Sequence, residues 1–439
     1  CGILGSEVLM AKRIAIATIG TQGDVQPYVA LAIALRDRGY SVVLGAPNDF
    51  KEMIEANGLE FFSLGRNIQT FVKQSNLDEV VSKSLLTSAP KLMRQGQKIV
   101  EIAARRSWEM AQGADLLMAN MNTTFCIDIG EALDIPVVMS ALQPLTATSE
   151  FPIVAYDGPD LGPAFNYISH APMNWQQMFY DWPRNKLRKA LMGMEPRKKG
   201  GFFKDNNGFD LPALYAYSAH ISRRPDDWPR TAHVTGYWQL KDQTNWEPSE
   251  SFKEFLANGS KPIYVGFGSM PFGAERNTQI LKDAVAKWGG RLVVGRGWGG
   301  INPEDLPDSI YAIRRAPHDK LFKYVAGVVH HGGAGTTSAG LHAGKPALVV
   351  PQTMDQPFWG RRVHALGCGP KPIALRKLTS DDLATALRQL ATNNDYKKNA
   401  EQIAAKLNAE DGCQRACDLI GEVITNFESS TVRQGNAAQ

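Results

Sequence analysis

The sequence predicts an α/β protein built from two Rossmann-like, doubly wound domains facing each other across a cleft. Three observations predict it. A chain of 439 residues is too long for one ordinary core. Each half opens with the same unit, a strand, a glycine-containing loop, a helix and a second strand. Between the halves lies a polar, proline-interrupted stretch, residues 239–261, that reads as a linker.

The elements follow in order. RIAIATI at residues 13–19 has the continuous apolar character of a parallel strand buried on both faces. GTQGD at 20–24 turns the chain, and residues 25–38 read as a helix with Val29, Ile33 and Leu35 inward. Gly39 ends that helix, and SVVL at 41–44 is the next strand. Later come LLMA at 116–119, a helix over 124–133, and PVVM at 136–139. The second half repeats the plan, with PIYV at 262–265, GFGSM at 266–270, a helix over 277–288 and RLVV at 291–294. IYAI at 310–313, GVVH at 327–330, a helix after Gly335 and PALVV at 346–350 complete it. The expected organisation is an extension at 1–10, one domain at 11–238, the linker, a second domain at 262–410, a C-terminal helix at 411–428 and a loose polar tail at 429–439.

Composition narrows the function class. The apolar fraction is 44%, the charged fraction 21% and the net charge +4, values of a soluble globular chain with no pull toward nucleic acid. The longest apolar runs are strand-sized, well short of a membrane span. No basic region followed by a long apolar one opens the chain, and the five cysteines are odd in number and scattered. Cys413 and Cys417 sit one helical turn apart, as neighbours on a helix face. The expectation is a reduced, cytoplasmic protein.

HHGGAGTTSAG at residues 330–340 is the stretch that carries chemistry. A strand, a glycine turn and a helix in succession aim free N–H groups and the positive end of a helix dipole at an anion. Adjacent histidines on an extended chain point to opposite sides, which weakens a metal reading. The dinucleotide fingerprint fails too, because Ser338 stands where the third small residue after Gly333 and Gly335 belongs. A phosphate seat is the better reading; the alternative is a tight glycine turn that serves packing only.

The stretch HHGGAGTTSAGLHAGKPALVVPQTMDQPFWGRRV at 330–363 resembles the donor-binding signature of nucleotide-sugar glycosyltransferases of the GT-B fold, and in particular the sterol 3-beta-glucosyltransferase and glycopeptide-antibiotic branch. IGTQGDVQPYVALA at 19–32, VTGYW at 234–238, VGFGSM at 265–270 and APHDKLF at 316–322 agree with it. The resemblance implies that the first domain binds the acceptor and the second the donor. It implies a diphosphate held by His331, Ser269 and the turn of Gly333, Gly335, Thr336 and Thr337, with N–H groups of the last three contributing. It places Ala316 to His318 at the base, and Asp355 and Gln356 at the sugar hydroxyls. Plant members stack the base on a tryptophan; this chain has Ala316. No cofactor is implied, since the UDP-sugar is a co-substrate. No D-x-D triplet occurs, so a metal-bridged diphosphate has no ligand of that kind and metal-independent transfer is expected.

Transfer to an alcohol needs a base, and the cleft end of the first strand is its natural place. Many relatives have histidine there; this chain has Asp24, as its branch does. The alternative is that Asp24 merely caps the following helix. The irregular stretch 151–209 carries Phe165, Tyr167, Trp175, Met178, Phe179, Tyr180 and Trp182, which suit either an apolar acceptor pocket or ordinary packing. Beside them run Arg184, Lys186, Arg188, Lys189, Arg197, Lys198 and Lys199, a solvated helix face or a contact for an anionic membrane. The implied reaction is inverting transfer of a hexose, glucose from UDP-glucose in the first place, to a sterol or similar lipophilic acceptor. Polyketide, peptide or rhamnolipid-type acceptors, an epimerase and a catalytically inactive activator partner are the alternatives.

Overall fold

The computed structural model describes residues 11–65, 85–197, 201–241, 245–268, 273–295, 306–313 and 316–437. Strands β1 (Arg13–Ala17), β2 (Ser41–Ala46), β3 (Glu60–Ser63), β4 (Leu116–Asn120), β5 (Val137–Ala141), β6 (Ala213–Tyr215) and β7 (Ala232–Val234) form the first sheet, ordered β3-β2-β1-β4-β5-β6-β7. Strands β8 (Ile263–Gly266), β9 (Leu292–Gly295), β10 (Ile310–Ile313), β11 (Gly327–His330) and β12 (Ala347–Val349) form the second, ordered β10-β9-β8-β11-β12. Every pairing is parallel. Parallel strands need crossovers that cover both sheet faces, which is why the central strands are apolar without alternation. Ile14, Ala15, Ile16 and Ala17 are fully buried.

In each sheet the chain winds outward from the first strand and then returns to its other side. The reversal falls between β1 and β4 in the first sheet and between β8 and β11 in the second. Crevices at such switch points are where ligands bind in open α/β sheets. His330 pairs with Gly266 across the second one.

Seven helices matter below: α1 (Gln22–Asp37), α2 (Cys126–Leu133), α3 (Pro163–Ser169), α4 (Ala171–Met192), α5 (Ala334–His342), α6 (Gln356–Ala365) and α7 (Gly412–Ala437). Three boundaries differ from expectation. Helix α1 starts three residues early, because Thr21 occupies the N-cap and Asp24 the third helical position of a capping box. The stretch 239–261 contains a helix, Glu250–Ala257, whose Ser249 hydroxyl accepts from Phe252 N–H at 3.3 Å. Phe252 is buried there and packs 5.0 Å from the Tyr311 ring, so this segment caps the second domain's edge.

The third difference is at the C-terminus, where α7 runs to Ala437 in place of a tail from residue 429. It packs back on the first domain. Ala416, Cys417, Ile420 and Ile424 form a helical stripe in one core with Leu31, Leu35 and Trp238. Cys413 and Cys417 do share that helix, and both are free thiols, as are Cys126 and Cys368.

The basic cluster is corrected in part. Arg184 and Arg188 are 2% and 4% exposed and converge on Asp128 of α2, at 2.8 Å each, with Glu131 at 2.9 Å from Arg188. They staple α4 to α2 and offer no surface charge. Burying two guanidiniums is tolerable only because carboxylates meet them. Arg197 turns inward as well, donating to the Lys204 carbonyl. Lys186 and Lys189 remain exposed, while Lys198 and Lys199 lie outside the described residues. Among the described residues, no helix is long and apolar enough to cross a membrane.

Candidate donor and acceptor sites

The second switch point is shaped by glycines. Gly268 has φ +79°, and a Cβ there would meet the His331 ring at 3.1 Å. A Cβ on Gly333 would come within 2.6 Å of His331 Nε2. The imidazole therefore lies flat between the β8 loop and the start of α5, a slot that side chains would fill. Burial lowers its pKa, opposed by a backbone interaction with Gly266, so the ring is neutral near pH 7. Its Nδ1 is buried with no partner in hydrogen-bonding geometry.

Helix α5 begins bare. Gly333 is its N-cap, with no capping side chain and no acidic residue in the first turn. The N–H groups of Ala334, Gly335 and Thr336 fall in the unsatisfied first turn, and Gly335 is exposed. Thr337 differs from expectation: its N–H already donates to Gly333 O at 2.9 Å. Being the fourth helical residue, it belongs to the regular ladder. What Thr337 leaves unpaired is its hydroxyl, buried without a partner.

His330, in contrast, is fully buried. Its Nδ1 accepts from Gly332 N–H at 3.0 Å, and burial with two neighbouring histidines drives its pKa down to about 3. It shapes the turn. His318 opens the short helix His318–Leu321, stacks on Phe322 at 4.8 Å and lies close enough to His331 to feel its charge. Burial brings its pKa down to about 4. Ser269 falls outside the described residues.

Asp355 and Gln356 start α6 beside this turn, with the Gln356 carbonyl 3.0 Å from where a Cβ on Gly332 would stand. Gln356 Oε1 accepts from the N–H groups of Gln352 at 2.7 Å and Thr353 at 3.2 Å, leaving its amide nitrogen to a ligand. Asp355 Oδ2 accepts from Trp359 Nε1 at 2.6 Å. Burial and, less strongly, the charge of Asp24 lift Asp355 to about 6 against the Trp359 hydrogen bond that opposes them. That coupling brings the two domains' candidate residues to one place.

Asp24 lies at the first switch point. Its Oδ2 accepts both the Thr21 N–H at 2.6 Å and the Thr21 hydroxyl at 3.0 Å, and no described residue donates to Oδ1. Capping and availability thus coexist, each on its own oxygen. Burial raises its pKa, opposed by Thr21. The carboxylate borders a small cavity lined also by Tyr28, Asn120, Met121, Ser140, Ala141, Leu142 and Gln143. Behind it Tyr28 pairs with Ser140 at 2.8 Å, and Asn120 donates to Ile19 O at 2.9 Å.

With that geometry in hand, the similarities to known proteins are informative. Residues 14–152 match the glycosyltransferase family 28 N-terminal domain, and residues 296–419 match the erythromycin biosynthesis protein CIII-like C-terminal domain. The O-mycaminosyltylonolide 6-deoxyallosyltransferase of Streptomyces fradiae is 31% identical over 93% of this chain and 97% of its own length. A sterol 3-beta-glucosyltransferase of Arabidopsis thaliana is 34% identical over 91% of this chain and 64% of its own length. This chain thus spans less than two thirds of that relative, and 33% of a Pichia angusta sterol 3-beta-glucosyltransferase. Among solved structures, a kitacinnamycin glycosyltransferase superimposes with TM-score 0.69 at 16% identity, covering 94% of this chain and 99% of that one. The chain belongs to the GT-B glycosyltransferases. Within them it is homologous to the sterol 3-beta-glucosyltransferases and the macrolide antibiotic glycosyltransferases.

Three contributors escaped the sequence reading. Trp359 holds Asp355, Gln352 binds the Phe267 carbonyl at 2.8 Å, and Asn120 lines the Asp24 cavity. The i,i+4 spacing of Asp355 and Trp359 on a helix was a signal for the first. The other two are joined only by the fold.

Proposed function

We propose that this chain is an inverting, metal-independent transferase that moves glucose from UDP-glucose to a hydroxyl of a sterol or similar lipophilic molecule. The observation that carries the reading is one helix N-terminus left bare, beside a neutral, half-buried His331 and an unpartnered Thr337 hydroxyl, with Asp24 facing it across the cleft. A diphosphate suits the bare helix end, His331 and the Thr337 hydroxyl, and leaves Asp24 to the acceptor. The acceptor oxygen attacks the anomeric carbon while its proton passes to Asp24. The bond to the diphosphate oxygen breaks with its electron pair, and UDP leaves with an added negative charge. Attack opposite the leaving group turns an α-linked donor into a β-glycoside.

Burial that raises the Asp24 pKa makes it a stronger proton acceptor. His331 and the first N–H groups of α5 meet the charge that grows on the leaving phosphate, the electrostatic contribution that is usually largest in such sites. Asp355 and Gln356 offer acceptors and a donor to sugar hydroxyls. The base falls to the segment around Ala316 and His318. A solved relative's complex with dTDP supports a nucleoside diphosphate in this fold. The sterol acceptor rests on the 34%-identical Arabidopsis relative. The Streptomyces fradiae relative, matched over nearly its whole length, favours a macrolide acceptor as the second reading.

Incubation with nucleotide sugars and a panel of sterols and macrolides, followed by mass spectrometry, tests the proposal. The expected result is a hexose adduct on a 3β-hydroxysterol with UDP-glucose as donor; an adduct confined to a macrolide selects the second reading, and no adduct at all refutes both. Turnover is expected to survive excess EDTA, since protein groups meet the diphosphate charge. Loss of turnover that Mg²⁺ or Mn²⁺ restores would end the metal-independent reading.

A further inference from the structure

Helix α6 reaches into both domains. At its start Asp355 and Gln356 face the donor side. One turn on, the buried Trp359 holds Asp355 through Nε1 and packs edge-on against Tyr217 of the first domain, 5.7 Å between ring centroids. Phe358 packs 5.2 Å from Phe151, and the Arg362 guanidinium lies over both rings at 5.0 and 5.4 Å. Arg361 Nη1 donates to the Tyr156 carbonyl at 2.5 Å. These contacts all fall on residues 151–156 or on Tyr217, across the domain boundary.

The segment they hold is itself tied to α3, which opens the aromatic-rich stretch of the first domain. Ser169 Oγ accepts from Ile153 N–H at 2.8 Å, Asn166 donates to the Ser149 carbonyl at 3.1 Å, and the Tyr156 and Phe165 rings lie 4.9 Å apart. Helix α3 then exposes Tyr167 and Ile168, 59% and 67% accessible, beside Leu161 at 57%. A guanidinium sunk into an interface is costly unless its donors are met. Arg361 Nη1 has the Tyr156 carbonyl while Nη2 is buried without a partner, so giving up that carbonyl would strand a second buried donor, which favours one seating of segment 151–156 over others.

We propose that Arg361 is a positioning residue for the acceptor: through α6 it fixes segment 151–156 and α3 relative to the sugar held at Asp355 and Gln356. The inference rests on reading that pair as the sugar site. From Asp355 to Arg361 is six residues, roughly 9 Å of helix at 1.5 Å per residue, short and rigid enough to pass a sub-ångström shift from one substrate to the other. Losing the Arg361 contact lets the acceptor wander relative to the anomeric carbon, while the diphosphate seat on α5 stays as it was. A misplacement of about 1 Å in such a reaction can cost about 10²-fold.

Two measurements on the full chain decide it. In the ligand-free protein, hydrogen exchange at residues 151–157 should quicken in Arg361→Leu and return toward the parent rate in Arg361→Lys, whose ammonium can still reach the carbonyl. With UDP-glucose and a 3β-hydroxysterol in detergent micelles, Arg361→Leu should lower kcat/KM for the sterol by roughly ten- to a hundredfold and leave the Kd for UDP-glucose within about twofold of the parent's. Should Leu fail to fold, Arg361→Gln is measured in the same way. Unchanged exchange at 151–157, or donor and acceptor constants moving together, overturns the proposal. UDP-glucose that binds neither parent nor variant overturns the donor-site reading, and the positioning role with it; exchange alone then shows whether Arg361 still holds the segment.

Discussion

The two switch points start from one design and end with opposite chemistry. Each has a buried parallel strand, a glycine loop and a helix whose N-terminus faces the cleft. In the first, Asp24 stands at the third position of α1 and accepts the Thr21 N–H and hydroxyl, so a negative charge sits in the crevice. In the second, α5 has glycine at the cap and no carboxylate in its first turn. On the proposed function, the same helix end serves as a base site where an acid stands in its first turn and as an anion site where it is left bare. An anion at α1 would meet Asp24; an anion at α5 meets His331. The contrast lies in a few residues, and it can be broken residue by residue.

The largest effect is expected at Asp24. Asparagine keeps one carbonyl oxygen, enough to accept both Thr21 contacts that Oδ2 accepts now, so Asp24→Asn should melt close to the parent. It has no base to offer, and turnover at saturating substrates should fall by at least about a hundredfold, the lower end for general-base groups. A variant that folds normally and keeps most of its turnover would leave Asp24 as a cap alone.

His331→Ala comes next. Removing one donor aimed at developing charge costs roughly 2.7–4 kcal/mol of transition-state stabilisation, about 10²- to 10³-fold. Steady-state kinetics at saturating UDP-glucose read it out, and unchanged kinetics would place the leaving-group charge elsewhere.

Thr336→Asp turns the second site into a copy of the first, since position 336 is the third residue of α5 as 24 is of α1. An acid there suits the helix dipole and should stabilise the fold by about 0.3–1 kcal/mol. The same charge repels a diphosphate by at least about 1 kcal/mol. Titration with UDP should therefore show Kd raised by roughly tenfold while Tm holds or rises. Both quantities moving for the worse would mean that position 336 is not at the anion seat.

The smallest effect concerns pH. Asp355 keeps its proton in the folded state up to about 6, whereas the unfolded carboxyl releases it near the ordinary 3.8. Between those values the folded state binds more protons, so the Asp355 contribution to stability is complete below about 4 and is lost as pH rises through about 6. Denaturant unfolding from pH 4 to 7 should show that decline in the parent, flattened in Asp355→Asn. An identical slope in both proteins would show that Asp355 does not carry it.

Much of this was legible in the chain. The doubly wound class, both strand–loop–helix units and the glycine turn at 330–340 were readable because each is a local pattern whose spacing is fixed by strand and helix geometry; Asp24 followed from its place at the cleft end of the first strand, and His331, Asp355 and Gln356 from the resemblance to the GT-B glycosyltransferases. Apolar runs without alternation mean a parallel sheet, and a glycine pair between strand and helix means a close approach. Only the tertiary structure decided the rest. It sent Arg184 and Arg188 inward to Asp128, because a charge run records residue types and not the distant carboxylate that meets them. It carried α7 back across the boundary to complete the first domain's core. It engaged the Thr337 N–H and left its hydroxyl bare, since the capping register depends on where α5 begins. It also laid Arg361 against the Tyr156 carbonyl, 205 residues away in the chain. Local spacing specifies elements because backbone sterics and hydrogen bonding act over a few residues. Partners across a cleft are chosen by packing and desolvation, which exist only once the chain has closed on itself.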